Sequence, residues 1–267
     1  MSTLIPLLRS LALITVMLAA GCGLLPEEVD ETIDWSAQRI HSEARAAMDG
    51  GGYERAITLL EKLESRYPYG RFAQQAQLEI AYAYYKSNEP ELALAAADRF
   101  IRLHPNHPYV DYAFYLKGLV NFNENLGLLG WISNQDLSER DPKGAQQSYD
   151  TFRELITRFP DSRYTPDAIQ RMRYLVNSLA EHEVHVARYY HRRGAYVAAV
   201  NRSKEAIKNY PDTPAIEEAL YIMARSYEAM GMEDLAQDAT RVLDQNFPES
   251  IYYRGGPNAD TPWWQLW

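Results

Sequence analysis

The chain has 267 residues, 27 Lys and Arg against 36 Asp and Glu, and a formal net charge of −9. That balance argues against nucleic acid and anionic lipid headgroups as partners, because both would repel it. One cysteine among 267 residues excludes a disulfide-stapled scaffold, so any core must hold by packing, and 20 Tyr with many Ala favour helices packed around small residues.

In chain order, the first element is an apolar stretch from Leu11 to Ala20 behind one basic residue, Arg9, ending in Leu18-Ala19-Ala20-Gly21-Cys22. The uncharged run from Leu11 to Leu25 is 15 residues long, short of the ~20 needed to cross a bilayer. Residues 1–21 therefore read as a lipoprotein signal peptide and Cys22 as the lipid-attachment site. A thioether-linked diacylglyceryl group and an N-acyl chain such as palmitate would hold firmly, whereas one chain binds only marginally. Gly23 stands where inner-membrane lipoproteins commonly carry Asp, and the resemblance to sorted lipoproteins implies the outer membrane, on its periplasmic face. Loss of residues 1–21 removes Arg9 and no acid, leaving 26 bases against 36 acids, or −10. Residues 22–34 read as a lipidated acidic linker. Its Glu27–Asp34 stretch carries five carboxylates and no base. The 12 residues from Gly23 to Asp34 would reach at most ~40 Å extended.

From residue 35 to 248 the chain repeats itself. Tyr67-Pro68, His104-Pro105, Phe159-Pro160, Tyr210-Pro211 and Phe247-Pro248 punctuate it. An Ala lies 12 residues before four of these prolines, at Ala56, Ala93, Ala199 and Ala236, and another 12 earlier at Ala44, Ala81, Ala187 and Ala224. This is the tetratricopeptide pattern: each Ala lets antiparallel helices approach closely, and the Pro stops the second helix. Tyr84, Tyr190 and Tyr227, three past the first Ala, fill the wedge between them. The fold class is all-α, a solenoid of five helix pairs. In the third repeat Gly118 precedes Ser148 by 30 residues instead of 12, which places an insertion at 123–141. In the fourth, 14 extra residues precede Ala187, with no Gly or Pro from Asp167 to Arg193. That is about 3.9 turns, so the first helix runs longer with its apolar face in register.

Three segments stand out as candidate contacts, each with a purely structural alternative. The insertion is apolar and Gly-broken, and Leu128, Trp131 and Ile132 either meet a partner or fold back over the repeat. Residues Arg163 to Lys208 hold nine Lys or Arg against four Asp or Glu. There Arg188, Arg192 and Arg193 cluster as candidate partner-binding residues, able to grip carboxylates bidentately or simply to line a solvated helix end. The tail, residues 249–267, carries Trp263, Trp264 and Trp267, and either docks on a partner or caps the last repeat. Catalytic signals are absent: the sequence has no nucleophile elbow, no phosphate-binding glycine loop and no paired-Cys metal site. His182-Glu183-Val184-His185 has its histidines three apart, where a zinc-protease helix needs four. No enzyme activity, metal or cofactor is expected.

Several strings outside the generic repeat positions resemble the BamD family of β-barrel assembly lipoproteins: Arg66-Tyr67-Pro68-Tyr69-Gly70, Ala81-Tyr82-Ala83-Tyr84-Tyr85-Lys86, Asp98-Arg99-Phe100-Ile101-Arg102, Asn106-His107-Pro108, Arg140-Asp141-Pro142 and Gly194-Ala195-Tyr196-Val197-Ala198-Ala199-Val200-Asn201-Arg202. The resemblance spans about Trp35 to Pro248 and does not extend to the tail. It implies a scaffold of the outer-membrane barrel assembly machine, docked on POTRA domains of the central barrel subunit and on accessory assembly lipoproteins. It also implies recognition of unfolded outer-membrane barrel substrates by the N-terminal repeats. The family's turn arginine falls on Arg193. Tyr82, Tyr85, Tyr112 and Tyr115 are candidates for the substrate-peptide groove, although Tyr is also the solenoid's packing residue. The alternative function is an outer-membrane repeat lipoprotein that organises peptidoglycan enzymes.

Overall fold

Each punctuating dipeptide becomes the end of a helix. The computed structural model describes residues 30–126 and 142–254. Among them ten α-helices follow one another: α1 Ala37–Asp49, α2 Tyr53–Arg66, α3 Arg71–Lys86, α4 Pro90–Leu103, α5 Val110–Leu126, α6 Lys143–Arg158, α7 Thr165–Arg192, α8 Tyr196–Asn209, α9 Ala215–Ala229 and α10 Glu233–Asn246. A short 3-10 turn, Ile251–Arg254, comes last. Every helix packs on its neighbours in sequence, and α9 also reaches back to α7. The result is a tetratricopeptide solenoid of five helix pairs.

Two turn geometries build it. Within four repeats the first helix closes in a Schellman motif, with a left-handed residue at Gly51, Asn88, Gly194 or Gly231 (φ 63° to 79°). The residue after each donates its N–H back to the carbonyl of Ala47, Tyr84, Tyr190 or Tyr227 at 2.8–3.0 Å. Between repeats, the residue before Pro leaves the helical region, with φ −127° to −134° at Tyr67, His104, Phe159, Tyr210 and Phe247. A following proline disfavours the α conformation there, so the second helix stops. The N–H of each still reaches Leu63, Phe100, Leu155, Ala206 or Leu243 at 2.8–2.9 Å, and all five of those residues are buried.

The eight periodic alanines are 0–4% exposed. In the third repeat their places fall to Gly118 and Ser148, whose hydroxyl donates to the Gly118 carbonyl at 3.0 Å. Here the approach is closest: a Cβ on Gly118 would lie 2.3 Å from Cε1 of Phe152. The extra residues of this repeat follow α5, which continues to Leu126. Leu128, Trp131 and Ile132 lie outside the described residues.

The fourth repeat carries its extra residues inside α7, which is 28 residues, or ~42 Å, long. Its buried stripe is divided between two clusters. Ala168, Leu175 and Leu179 join Phe114, Phe152 and Leu155, whereas Val184 and Ala187 join Ala199, Ile216, Leu220 and Leu243. One uninterrupted helix thus ties the third repeat to the fifth.

Gly118→Ala should destabilise the chain by about 1–3 kcal/mol, because the fully buried Phe152 ring must move off its rotamer. The measure is the urea midpoint followed by circular dichroism, and Gly118→Ala combined with Phe152→Leu should recover part of the loss. An unchanged midpoint in the single variant would contradict this packing.

Candidate functional site

The basic segment resolves into paired and unpaired arginines. Arg188 on α7 donates from Nε and Nη2 to both carboxylate oxygens of Glu218 on α9, at 2.6 and 2.7 Å. Glu218 also accepts from the Tyr252 hydroxyl at 3.0 Å. Arg188 therefore holds repeat four to repeat five and to the start of the tail. Glu218 lies 30 residues from Arg188 and 34 from Tyr252, where no local pattern points to either pairing. Arg171 and Arg202 are spoken for in the same way, by Asp167 at 2.6 Å and Glu183 at 3.0 Å.

Arg192 and Arg193 are exposed and form no ion pair among the described residues. Arg193 is the residue on which α7 ends (φ −83°, ψ 0°), with its guanidinium 5.5 Å from the Tyr189 ring. Gly194 (φ 76°) then closes the turn, through Gly194 N–H to His191 and Ala195 N–H to Tyr190, each 3.0 Å. The surface around the cation is partly apolar, with Val197 64% and Tyr189 46% exposed. Of the three arginines predicted to cluster, two present charge at a capped turn and the third is paired with Glu218 across repeats four and five.

The four candidate tyrosines fall on the first helices of repeats two and three. Tyr82, Tyr85 and Tyr112 pack half-buried around Ala81, Ala97 and Leu116. Burial raises the Tyr112 hydroxyl well above the usual tyrosine range, with neighbouring Tyr82, Tyr164 and Tyr85 adding to it. Tyr115 instead faces α7: it stacks on Tyr164 at 4.7 Å and donates to Asp167 Oδ2 at 2.7 Å. Asp167 also receives Arg171 Nε. Burial pushes that carboxyl up, but the hydrogen bonds from Arg171 and Tyr115 outweigh it and hold Asp167 below the ordinary range. Tyr115 is thus committed to joining α5 and α7, while the other three pack against the Ala81–Ala97–Leu116 cluster.

A second device was not anticipated from the sequence. Asp30 accepts Lys62 Nζ at 2.8 Å and Arg66 Nη2 at 3.1 Å, together with the amide and hydroxyl of Thr32 at 3.1 and 2.7 Å. Arg66 also donates to the Thr32 carbonyl, and the Tyr67 hydroxyl donates to the Trp35 carbonyl at 2.9 Å. Lys62 and Thr32 hold the Asp30 carboxyl far below the usual range. The end of the acidic segment is therefore clamped to α2 rather than serving as free spacer. The Asp-x-Thr spacing is the one local sign of it, since such a pair forms its own turn. Cys22 lies outside the described residues.

Among the described residues no group of three or more His, Cys, Asp or Glu is arranged to hold a metal. Glu183 of the His182–His185 segment is taken by Arg202.

Burial, then the hydrogen bond and charge of Asp167, push the Tyr115 hydroxyl up to about 12. A raised acid favours the protonated fold, so this contribution is complete below the ordinary value near 10 and fades as pH rises from there. Tyr115→Phe should cost about 1 kcal/mol at neutral pH, measured by urea unfolding. The gap to the parent protein should narrow as the pH is raised above 10, and a gap independent of pH would reject the coupling.

A family model described as an outer membrane lipoprotein matches residues 33–243. A relative from Neisseria meningitidis serogroup B, named outer membrane protein assembly factor BamD, is 47% identical over 246 residues, 92% of each chain. Relatives of the same name from Vibrio cholerae and Xylella fastidiosa are 36% and 35% identical, covering 88% and 93% of this chain and 96% and 84% of their own. With a match of that extent, running through the capped turn at Arg193 and the tyrosine-lined helices, the chain belongs to the BamD family of outer-membrane lipoproteins.

Proposed function

We propose that this chain is a non-catalytic scaffold and substrate-recognition lipoprotein of the outer-membrane β-barrel assembly machine, promoting insertion of barrel proteins. The observation that carries the reading is 47% identity across 92% of both chains to a protein named outer membrane protein assembly factor. Acyl chains on Cys22 anchor it to the outer membrane on the periplasmic face. The Arg192–Arg193 turn docks on POTRA domains of the central barrel subunit, and other faces meet accessory assembly lipoproteins. Support for that turn comes from its exposed guanidinium groups, which form no ion pair among the described residues and suit bidentate recognition of carboxylates. Tyr82, Tyr85 and Tyr112, with Tyr115 as a positioning residue, offer extended aromatic substrate segments a face of rings and hydroxyls.

Two substitutions separate the parts of this reading. Cys22→Ala should leave a soluble periplasmic protein without acyl mass, seen by fractionation and intact-mass analysis; retention in the membrane would reveal a second tether. Arg193→Glu should reduce co-purification of the barrel subunit about tenfold or more, the scale of one charge-assisted hydrogen bond, with helicity unchanged. Undiminished recovery would remove the turn as the docking site, and recovery of peptidoglycan enzymes in place of the barrel subunit would favour the cell-wall scaffold.

A further inference from the structure

A cleft of about 520 Å³ opens where three repeats meet, between α6, the N-terminal half of α7 and the Asp212–Pro214 turn leading into α9. That volume lies within the roughly 300–1,000 Å³ of sites that enclose a small ligand or a few side chains. Ile156, Ile169, Met172 and Val176 make its walls apolar, and Arg173 stands among them. Arg173 is exposed and forms no ion pair among the described residues. Asp212, also in the lining, offers a carboxylate acceptor. Neither the Arg193 turn nor the tyrosine face includes any of these residues.

The chain itself supplies an occupant of matching chemistry. After α10 it is pinned across the first turns of α9: the Ile251 amide donates to Glu217 at 3.2 Å, the Tyr252 hydroxyl donates to Glu218, and the Tyr252 ring stacks on Tyr221 at 5.0 Å. Glu218 is four residues from Pro214, only ~6 Å along the helix, so Tyr252, near the last of the described residues, lies beside the cleft mouth. The thirteen residues that follow Arg254 reach ~43 Å when extended, several times that separation. They contain Trp263, Trp264, Leu266 and Trp267, one acid, Asp260, and no base. Indole faces suit an apolar wall carrying a guanidinium, which binds Trp better than any other ring. Indole N–H groups are donors only and suit the Asp212 carboxylate. A tethered segment also meets its site at an effective concentration that a separate chain rarely matches.

We infer that the cleft between α6, α7 and the α8–α9 turn is a binding site for a Trp-rich peptide, and that its occupant is this chain's own segment 255–267. Seated there, the segment is a clasp across repeats three, four and five.

The test uses the full chain with a benzoyl-phenylalanine photoprobe in place of Val176 in the cleft. Illumination should give monomeric adducts that map by mass spectrometry to Trp263–Trp267. Adduct yield should fall at least fivefold when Trp263, Trp264 and Trp267 are all changed to Ala, and severalfold with Arg173→Ala. In parallel, the triple variant without the probe should lose amide protection at 169–177 and 212–214 while keeping it in α1–α4. Adducts to other segments, or no adduct with protection unchanged in the triple variant, would overturn the proposal. Adducts confined to the dimer band would assign the cleft to a second copy and would equally overturn the clasp.

Discussion

Close approach of paired helices at one small residue is the constraint from which the rest of this solenoid follows. Where Ala44, Ala81, Ala187 and Ala224 meet Ala56, Ala93, Ala199 and Ala236, the backbones come near enough for larger side chains such as Leu60, Leu63 and Phe100 to fill the space on either side. Gly118 carries this furthest, since the Phe152 ring occupies the volume a Cβ would need. Phe152 in turn belongs to the cluster that holds the near half of α7. The position of the longest helix thus rests on a missing methyl group.

The turns convert that pairwise contact into an array. A left-handed residue at Gly51, Asn88, Gly194 or Gly231 reverses the chain inside a repeat, and a pre-proline residue reverses it between repeats. With the two reversals alternating, each helix packs on its neighbours in sequence, so that every repeat covers the apolar face of the next. The internal connection of the third repeat, after Leu126, lies outside the described residues. The fourth is lengthened through α7, which shares its buried stripe between two clusters.

Most of this architecture is legible in the sequence because it is local. Alanines 12 residues apart, aromatic-proline dipeptides and an uninterrupted run from Asp167 to Arg193 each act over one or two helices, and the structure places helices and turns accordingly. What escaped reading is long-range and polar. The sequence groups Arg188 with Arg192 and Arg193, but a carboxylate 30 residues on, Glu218, takes both of its donors. Tyr115 looks like its groove neighbours until Asp167, 52 residues later, accepts its hydroxyl. The clamp at Asp30 joins residues 32 and 36 apart, where acidic composition alone reads as a linker. Repeat spacing encodes apolar faces; it contains no term for which charge on one face will meet which on the next.

The fate of the basic segment follows from that distinction. Ion pairs as exposed as Arg171–Asp167, Arg188–Glu218 and Arg202–Glu183 contribute little to stability individually. Their larger consequence is to occupy three of the cations of α7 and α8, while Arg192 and Arg193 stay without an ion pair among the described residues where α7 ends. A cation there is favoured by the partial negative charge of the helix C-terminus, which explains why Arg192 and Arg193 stand side by side without an acid to separate them. On the proposed docking, a partner carboxylate meets a guanidinium that Tyr189 already screens on one face and that a closed Schellman turn already positions. The backbone at the turn then has little freedom left to lose on binding. The turn serves the fold by ending a helix and, on the proposed docking, serves recognition by fixing the backbone from which the two guanidinium groups project.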